Sequence, residues 1–185
     1  MWYDDISISI IMLYLAFPNI SHKSQYLAMT KEWWDFETIP TSPWALFHWE
    51  TYEVFLENRK ADLISNFFGV PATLLFFMED ADMLWAIQIR HTLDHPDLLN
   101  FNGHIGYWLR PSARGKWLSR EMLSFWLIEA KKLGIDKVMI SAYEENITSW
   151  KTIERCGWVL DRIIMKEGKL LKIYRIDNSS SCPVK

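Results

Sequence analysis

A chain of 185 residues that is 50% hydrophobic and 23% charged has the composition of one globular domain with room for a substantial core. A net charge of -3 and a pI near 6.0 exclude bulk electrostatic attraction to nucleic acid. Two cysteines, Cys156 and Cys182, are too few for a disulfide framework and read as free thiols in a reducing compartment.

The apolar run over 6–17 alternates Ile with Ser in its first half and is too short to cross a bilayer. Asp4 and Asp5 precede it where a signal peptide would carry basic residues. It predicts a first strand, no membrane association and, by default, a cytoplasmic location. Ser21 is placed to cap a helix over 22–34, residues 38–44 with two prolines form a loop, and a second helix covers 49–65. Strands over 72–78 and 83–91 face each other across the acidic turn Glu79-Asp80-Ala81-Asp82. The loop that follows holds His91, Asp94, His95 and Asp97, but Pro96 interrupts it and no further strong ligand has metal-site spacing, so no metal is assigned.

Residues 104–119 organise the rest. Tyr107 and Leu109 alternate with other residues as on a half-buried strand, and Pro111 ends it. From Leu118 an apolar helical pattern runs through Met122, Phe125, Trp126, Ala130 and Leu133, closed by Gly134. A strand that passes through a basic turn containing Gly115 into a helix N-terminus offers unpaired N–H groups and the positive end of the helix dipole to an anion. Arg114, Lys116 and Arg120 add charge. An ordinary strand-to-helix turn with solvated basic residues is the alternative reading of the same stretch. A strand over 135–142, a short helix over 147–156 and a hairpin over 159–165 and 169–176 complete the domain, 1–176, and 177–185 read as a disordered tail.

The element order, and two segments in particular, resemble the GNAT N-acetyltransferase superfamily and within it a bacterial branch of predicted acetyltransferases. Leu109-Arg110-Pro111-Ser112-Ala113-Arg114-Gly115-Lys116-Trp117-Leu118-Ser119 is similar to that family's acetyl-CoA loop, R/Q-x-x-G-x-G/A after a strand. Asn146-Ile147-Thr148-Ser149, followed by Ile153-Glu154-Arg155-Cys156-Gly157-Trp158, is similar to its N-x-x-S … I-E-x-x-G-F segment. The resemblance implies an α/β (α+β) GNAT fold: a central mixed, mostly antiparallel, splayed sheet of about seven strands flanked by helices. It implies an acyl-CoA-dependent N-acetyltransferase that moves an acetyl group from acetyl-CoA to a primary amine, on a small molecule or a peptide, by direct attack in a ternary complex.

Under that resemblance Leu109, Arg110, Arg114, Gly115, Lys116, Trp117, Leu118, Ser119, Asn146 and Ser149 hold the cofactor. The pantetheine arm lies between the fourth and fifth strands, and a backbone N–H near Trp108 or Leu109 meets the oxyanion. His104 is the candidate general base, with Glu144 and Glu145 as alternatives, and Tyr143 stands in as acid because many members have a Tyr where this chain has Ile153. Dimerisation is left open.

Trp117 departs from the pattern, since the loop uses Gly there to let backbone approach the phosphates. A catalytically impaired CoA-binding or regulatory module is the alternative that Trp117 raises. The chain has 11 Trp and only 7 Gly, and Trp34, Trp49, Trp85, Trp108, Trp117 and Trp158 fall where the pattern or turn chemistry favours a small residue. UGA codons read as Trp where the source reads Gly would account for this, as would a lineage that accumulated Trp. The coding DNA decides between them.

Overall fold

The computed structural model describes residues 12–36, 50–115 and 119–179. The first strand, β1, is Leu13–Ala16, the C-terminal end of the run predicted as a strand; the rest of that run up to residue 11, and the loop predicted over 38–44, lie outside the described residues. The first helix is entered through a 3-10 turn, Ile20–His22, capped by Asn19 rather than by Ser21. Asn19 Oδ1 accepts from the Ser21 N–H at 2.9 Å, and the Asn19 N–H donates back to His22 Nδ1. Both residues can cap, so only the backbone geometry separates them. Helix α1 then runs over Lys23–Phe36 and α2 over Tyr52–Asp62, the latter capped by Thr51.

Strands β2, Ala72–Glu79, and β3, Asp82–Arg90, form the predicted hairpin, with Asp80 of its turn in the left-handed region. β2 is buried along Ala72–Met78 because both of its faces are covered. Leu74, Phe76 and Met78 pack with Tyr26, Met29, Trp33, Tyr52 and Phe55 of α1 and α2. Leu75 and Phe77 point the other way, to a core with Trp85, Ile87, Ile89, Met122 and Trp126. That explains why this strand reads as a continuous apolar run rather than an alternating one.

A single π-turn at Leu98–Asn102 leads into β4, Ile105–Leu109. The helix predicted from its periodicity is α3, Ser119–Lys132, with Met122, Trp126 and Ala130 buried. β5, Lys137–Tyr143, is followed by α4, Ile147–Arg155, and by the hairpin of β6, Val159–Lys166, and β7, Lys169–Asp177. The seven strands among the described residues form two antiparallel sheets, in the orders β1-β2-β3-β4 and β5-β7-β6. The start of the expected tail is tied down. Asp177 closes β7, and the buried Asn178 donates through Nδ2 to Leu127 O and Ile135 O.

The Trp residues that turn chemistry would give to Gly do not sit in glycine conformations where they are described. Among described residues only Asp80 and Glu167 combine a side chain with a left-handed φ. Trp85 is fully buried, stacked on Phe77 with ring centroids 3.7 Å apart, and Trp158 is buried too. Trp49 and Trp117 lie outside the described residues.

Candidate active site

Among the described residues the two sheets are joined by backbone hydrogen bonding at one point. The His104 N–H donates to Met139 O at 2.8 Å, and the Met139 N–H donates to His104 Nδ1 at 3.0 Å. Beyond that joint β4 and β5 are not paired, and a cleft of about 240 Å³ opens between Ile105–Trp108 on one side and Ser141–Tyr143 on the other. Its walls are polar for an interior space: Arg90, Asn102, Tyr107, Ser141, Tyr143, Asn146 and Ser149 all line it.

The edge of β4 that faces the cleft has free hydrogen-bonding groups. Antiparallel ladders alternate residues bonded to the partner with residues turned away from it. Arg110 N–H is bonded to Leu84 O, and the register pairs Leu109 with Trp85 and Tyr107 with Ile87. The N–H groups of Leu109 and Tyr107 are therefore the ones turned to the cleft. Of the two positions expected to offer an oxyanion donor, Leu109 has its N–H on this edge, whereas Trp108 has its own turned to β3.

Tyr107 crosses the cleft. Its Oη is hydrogen-bonded to Ser149 Oγ at the start of α4, and its ring packs on Trp126 at 4.6 Å between centroids. Burial pushes its phenol up from the usual value, so it holds its proton at neutral pH. Ser149 is held by Asn146, whose Oδ1 accepts the Ser149 N–H at 3.2 Å and so caps α4. Asn146 and Ser149, expected from the sequence, and Tyr107, which the sequence offered only as a strand residue, thus form one cluster. Burial likewise raises Tyr143, which lines the same cleft under the Lys169 ammonium. Glu144 sits one residue beyond, 3.7 Å from Lys172 Nζ, and Glu145 pairs with Lys169 at 2.5 Å.

His104 is brought to the joint and not to the wall of the cleft. It is 6% exposed, and accepting at Nδ1 requires the tautomer with its proton on Nε2. Burial, aided by Arg175 and Arg90, lowers its pKa to about 4. At neutral pH it is a neutral ring that staples two strands.

The basic turn is also more occupied than its sequence suggested. Arg110 Nε donates to Glu32 of α1, and the same carboxylate accepts from the Ser112 N–H at 2.6 Å and from Ser112 Oγ at 3.2 Å. Burial pushes the Glu32 carboxyl up, but the bonds from Arg110 and Ser112 outweigh it and leave it below its usual value. Arg114 lies over the rings of Trp33 and Phe36 and donates to Leu109 O. Both arginines lean on α1. Gly115 has φ +74 and open space around its Cα, so backbone is exposed just before α3. Lys116, Trp117 and Leu118 lie outside the described residues, and Ser119 begins α3. Among described residues no group of three His, Cys, Asp or Glu side chains could hold a metal ion, and no helix is long and apolar enough to cross a membrane.

The sequence model of the Acetyltransferase (GNAT) domain matches residues 42–159, which contain the whole cleft and the turn before α3. The chain belongs to the GNAT acetyltransferase family. Solved structures agree on the fold. The microcin C7 self-immunity acetyltransferase MccE, in complex with acetyl-CoA and AMP, is 20% identical with a TM-score of 0.64, over 89% of this chain and 92% of that one. RimJ of Mycobacterium smegmatis, in complex with CoA-disulfide, is 12% identical with a TM-score of 0.66, over 89% and 81%. The spermidine N-acetyltransferase of Vibrio cholerae, in complex with CoA and spermine, is 14% identical with a TM-score of 0.61, over 90% and 96%. No curated protein matches the sequence. Within this GNAT chain the splay of β4 from β5 leaves Tyr107 and Trp108, which precede the first motif segment, and Asn146 and Ser149 of the second lining one cleft.

Proposed function

We propose that this GNAT protein is an acetyl-CoA-dependent N-acetyltransferase acting on a primary amine. The observation that carries the reading is the cleft itself, a wedge between β4 and β5 with unpaired strand N–H groups along one edge. Acetyl-CoA would lay its pyrophosphate at the N-terminal end of α3, between Gly115 and Ser119, where the helix dipole favours an anion. Its pantetheine arm would run along β4 between the strands. The thioester carbonyl oxygen then meets the Leu109 N–H.

The amine lone pair attacks the thioester carbon, and charge moves to the carbonyl oxygen, where Leu109 N–H stabilises it. Collapse breaks the C–S bond, and the thiolate takes a proton to leave as free CoA. Tyr107 is the proton donor we assign, because its phenol is protonated, lines the cleft and is aimed across it by Ser149. The proton lost by the amine goes toward Glu144 and solvent at the mouth. This replaces His104 as base and Tyr143 as acid with groups whose positions suit the transfer better. The ligands in complex with the fold's neighbours, acetyl-CoA in MccE and CoA with spermine in the Vibrio cholerae enzyme, support a cofactor and an amine of this kind.

Calorimetry with acetyl-CoA tests the reading, on the protein as it stands and on Trp117→Gly. We expect saturable binding by at least one of them, tighter in the glycine variant if the indole crowds the phosphates. Absence of binding by both at millimolar ligand overturns the proposal. Tyr107→Phe should lower kcat about 100-fold, the usual size of a general-acid contribution, while acetyl-CoA binding stays within about threefold. Unchanged kcat in steady-state kinetics would take the donor role away from Tyr107.

A further inference from the structure

Arg90, the last residue of β3, has no counter-ion among the described residues. It is 8% exposed. Nη1 donates to Gly103 O at 3.1 Å and the guanidinium lies over the Phe68 ring at 5.6 Å. Nε has no hydrogen-bond partner, and among the described residues no carboxylate pairs with it. Burial lowers its pKa only to about 10, so it stays charged at neutral pH. A buried charge with no partner is costly. Arg59, the other strongly buried arginine, has Asp62 at 3.3 Å.

The guanidinium also lines the cleft, and the neighbouring sequence makes room for it there. A Cβ on Gly106 would lie 3.3 Å from Arg90 Nη2 and 3.3 Å from Trp108 Cη2. The missing side chain therefore lets a cation and an indole converge on the cleft floor. The register puts Arg90, Gln88, Gly106 and Trp108 on one face of the sheet, since Gln88 pairs with Gly106 and Ala86 with Trp108. Trp108 and Ala86 pack with the residues of α1 and α2, whereas Tyr107 packs with α3. The cofactor turn opens α3, so Arg90 is on the face opposite the cofactor's.

We infer that Arg90 is the anion anchor of the acceptor pocket: the amine that this protein acetylates carries a carboxylate or phosphate, which the guanidinium binds while the amine reaches the thioester. Guanidinium groups pair with both oxyanions, and the ligand would supply the counter-charge that Arg90 lacks among the described residues. The inference rests on the acetyltransferase reading for the word acceptor. Polyamines, which bring only positive charge, are poor candidates for this pocket.

The test reads anion capture and turnover separately. The protein, once saturated with acetyl-CoA and once without it, is titrated calorimetrically with inorganic phosphate in one arm and sodium acetate in the other, as wild type, Arg90→Lys and Arg90→Gln. Binding of either anion by wild type, retained in part by Arg90→Lys and reduced at least tenfold in Arg90→Gln, supports the anchor, and the stronger arm names the oxyanion. Equal binding by wild type and Arg90→Gln, or none by wild type, overturns it. If Arg90→Gln does not fold, Gly106→Ala takes its place. Its Cβ intrudes between Arg90 Nη2 and the indole but spares the bond to Gly103, and it should weaken the same binding.

Matched amines then separate the inference from the reading beneath it. Amino acids against their amides, phosphoethanolamine against ethanolamine, and spermidine are assayed by thiol release. A preference of about 100-fold for the anionic member in wild type, lost in Arg90→Gln, supports it. Turnover that favours the neutral or cationic amines overturns the anchor while leaving the acetyltransferase standing. Failure to bind acetyl-CoA removes that reading alone, since the anion titrations remain interpretable without the cofactor.

Discussion

Gly103→Ala should cost more than about 4 kcal/mol of stability, because it combines a left-handed backbone, a backbone clash and the loss of several buried hydrogen bonds. Gly103 has φ +67, and a Cβ there would lie 2.5 Å from Met139 O and 2.8 Å from Met139 C. Neither atom belongs to a side chain that could swing away. Met139 accepts the His104 N–H and donates to His104 Nδ1, while Gly103 O accepts from Arg90. Moving either backbone apart breaks the only ladder-like contact between β4 and β5 among the described residues. For a chain of this size the loss corresponds to a fall in Tm of roughly 10 °C. Urea unfolding at pH 7.5 measures it, and a change below about 1 kcal/mol would mean that the joint yields where we describe it as rigid. In a variant that still folds, the splay itself is altered, so acetyl-CoA affinity should fall as well.

What the sequence made legible follows from which contacts are local. The hairpin of β2 and β3 announces itself through an apolar run, an acidic turn and a second apolar run, all within 19 residues of each other (Ala72 to Arg90). The helix α3 is written in its own periodicity, and Asn146 and Ser149 of the second family segment line the cleft. Partnerships across the fold were not legible. Glu32 meets Arg110 and Ser112 from 78 and 80 residues away, and nothing in the composition of α1 marks Glu32 among its other polar residues. Tyr107 reads as a half-buried strand residue until Ser149, 42 residues later, turns out to face it. Arg90 reads as the polar end of a strand, and its burial depends on Phe68 and Gly103 closing over it. A sheet's parity has the same character. A shift of one residue would exchange Tyr107 and Trp108 between the face covered by α3 and the face covered by α1 and α2, and only the observed register fixes which is which.

His104 shows how a reactive residue type can be taken up by the fold, and it yields the second large effect. Its pKa is about 4 in the native protein against about 6.5 in an unfolded chain. Between those values the unfolded chain binds a proton that the native state refuses, so stability rises with pH across the window and is lost as pH falls. Well above pH 6.5 the ring is neutral in both states and contributes no pH dependence. Falling from pH 7 to 5 should remove about 2 kcal/mol on account of this ring, approaching about 3 kcal/mol below pH 4. Burial lowers His22 and His91 as well, which adds slope of the same sign. His104→Gln removes the titrating ring and keeps an acceptor for the Met139 N–H. It should be less stable than wild type at pH 7.5, yet lose at least 1 kcal/mol less between pH 7 and 5. Urea midpoints at the two pH values give the comparison. Equal slopes in the two proteins would mean that His104 is protonated in the native state at pH 5, which would return it to candidacy as the base. A flattened slope would leave proton transfer to the groups that line the cleft.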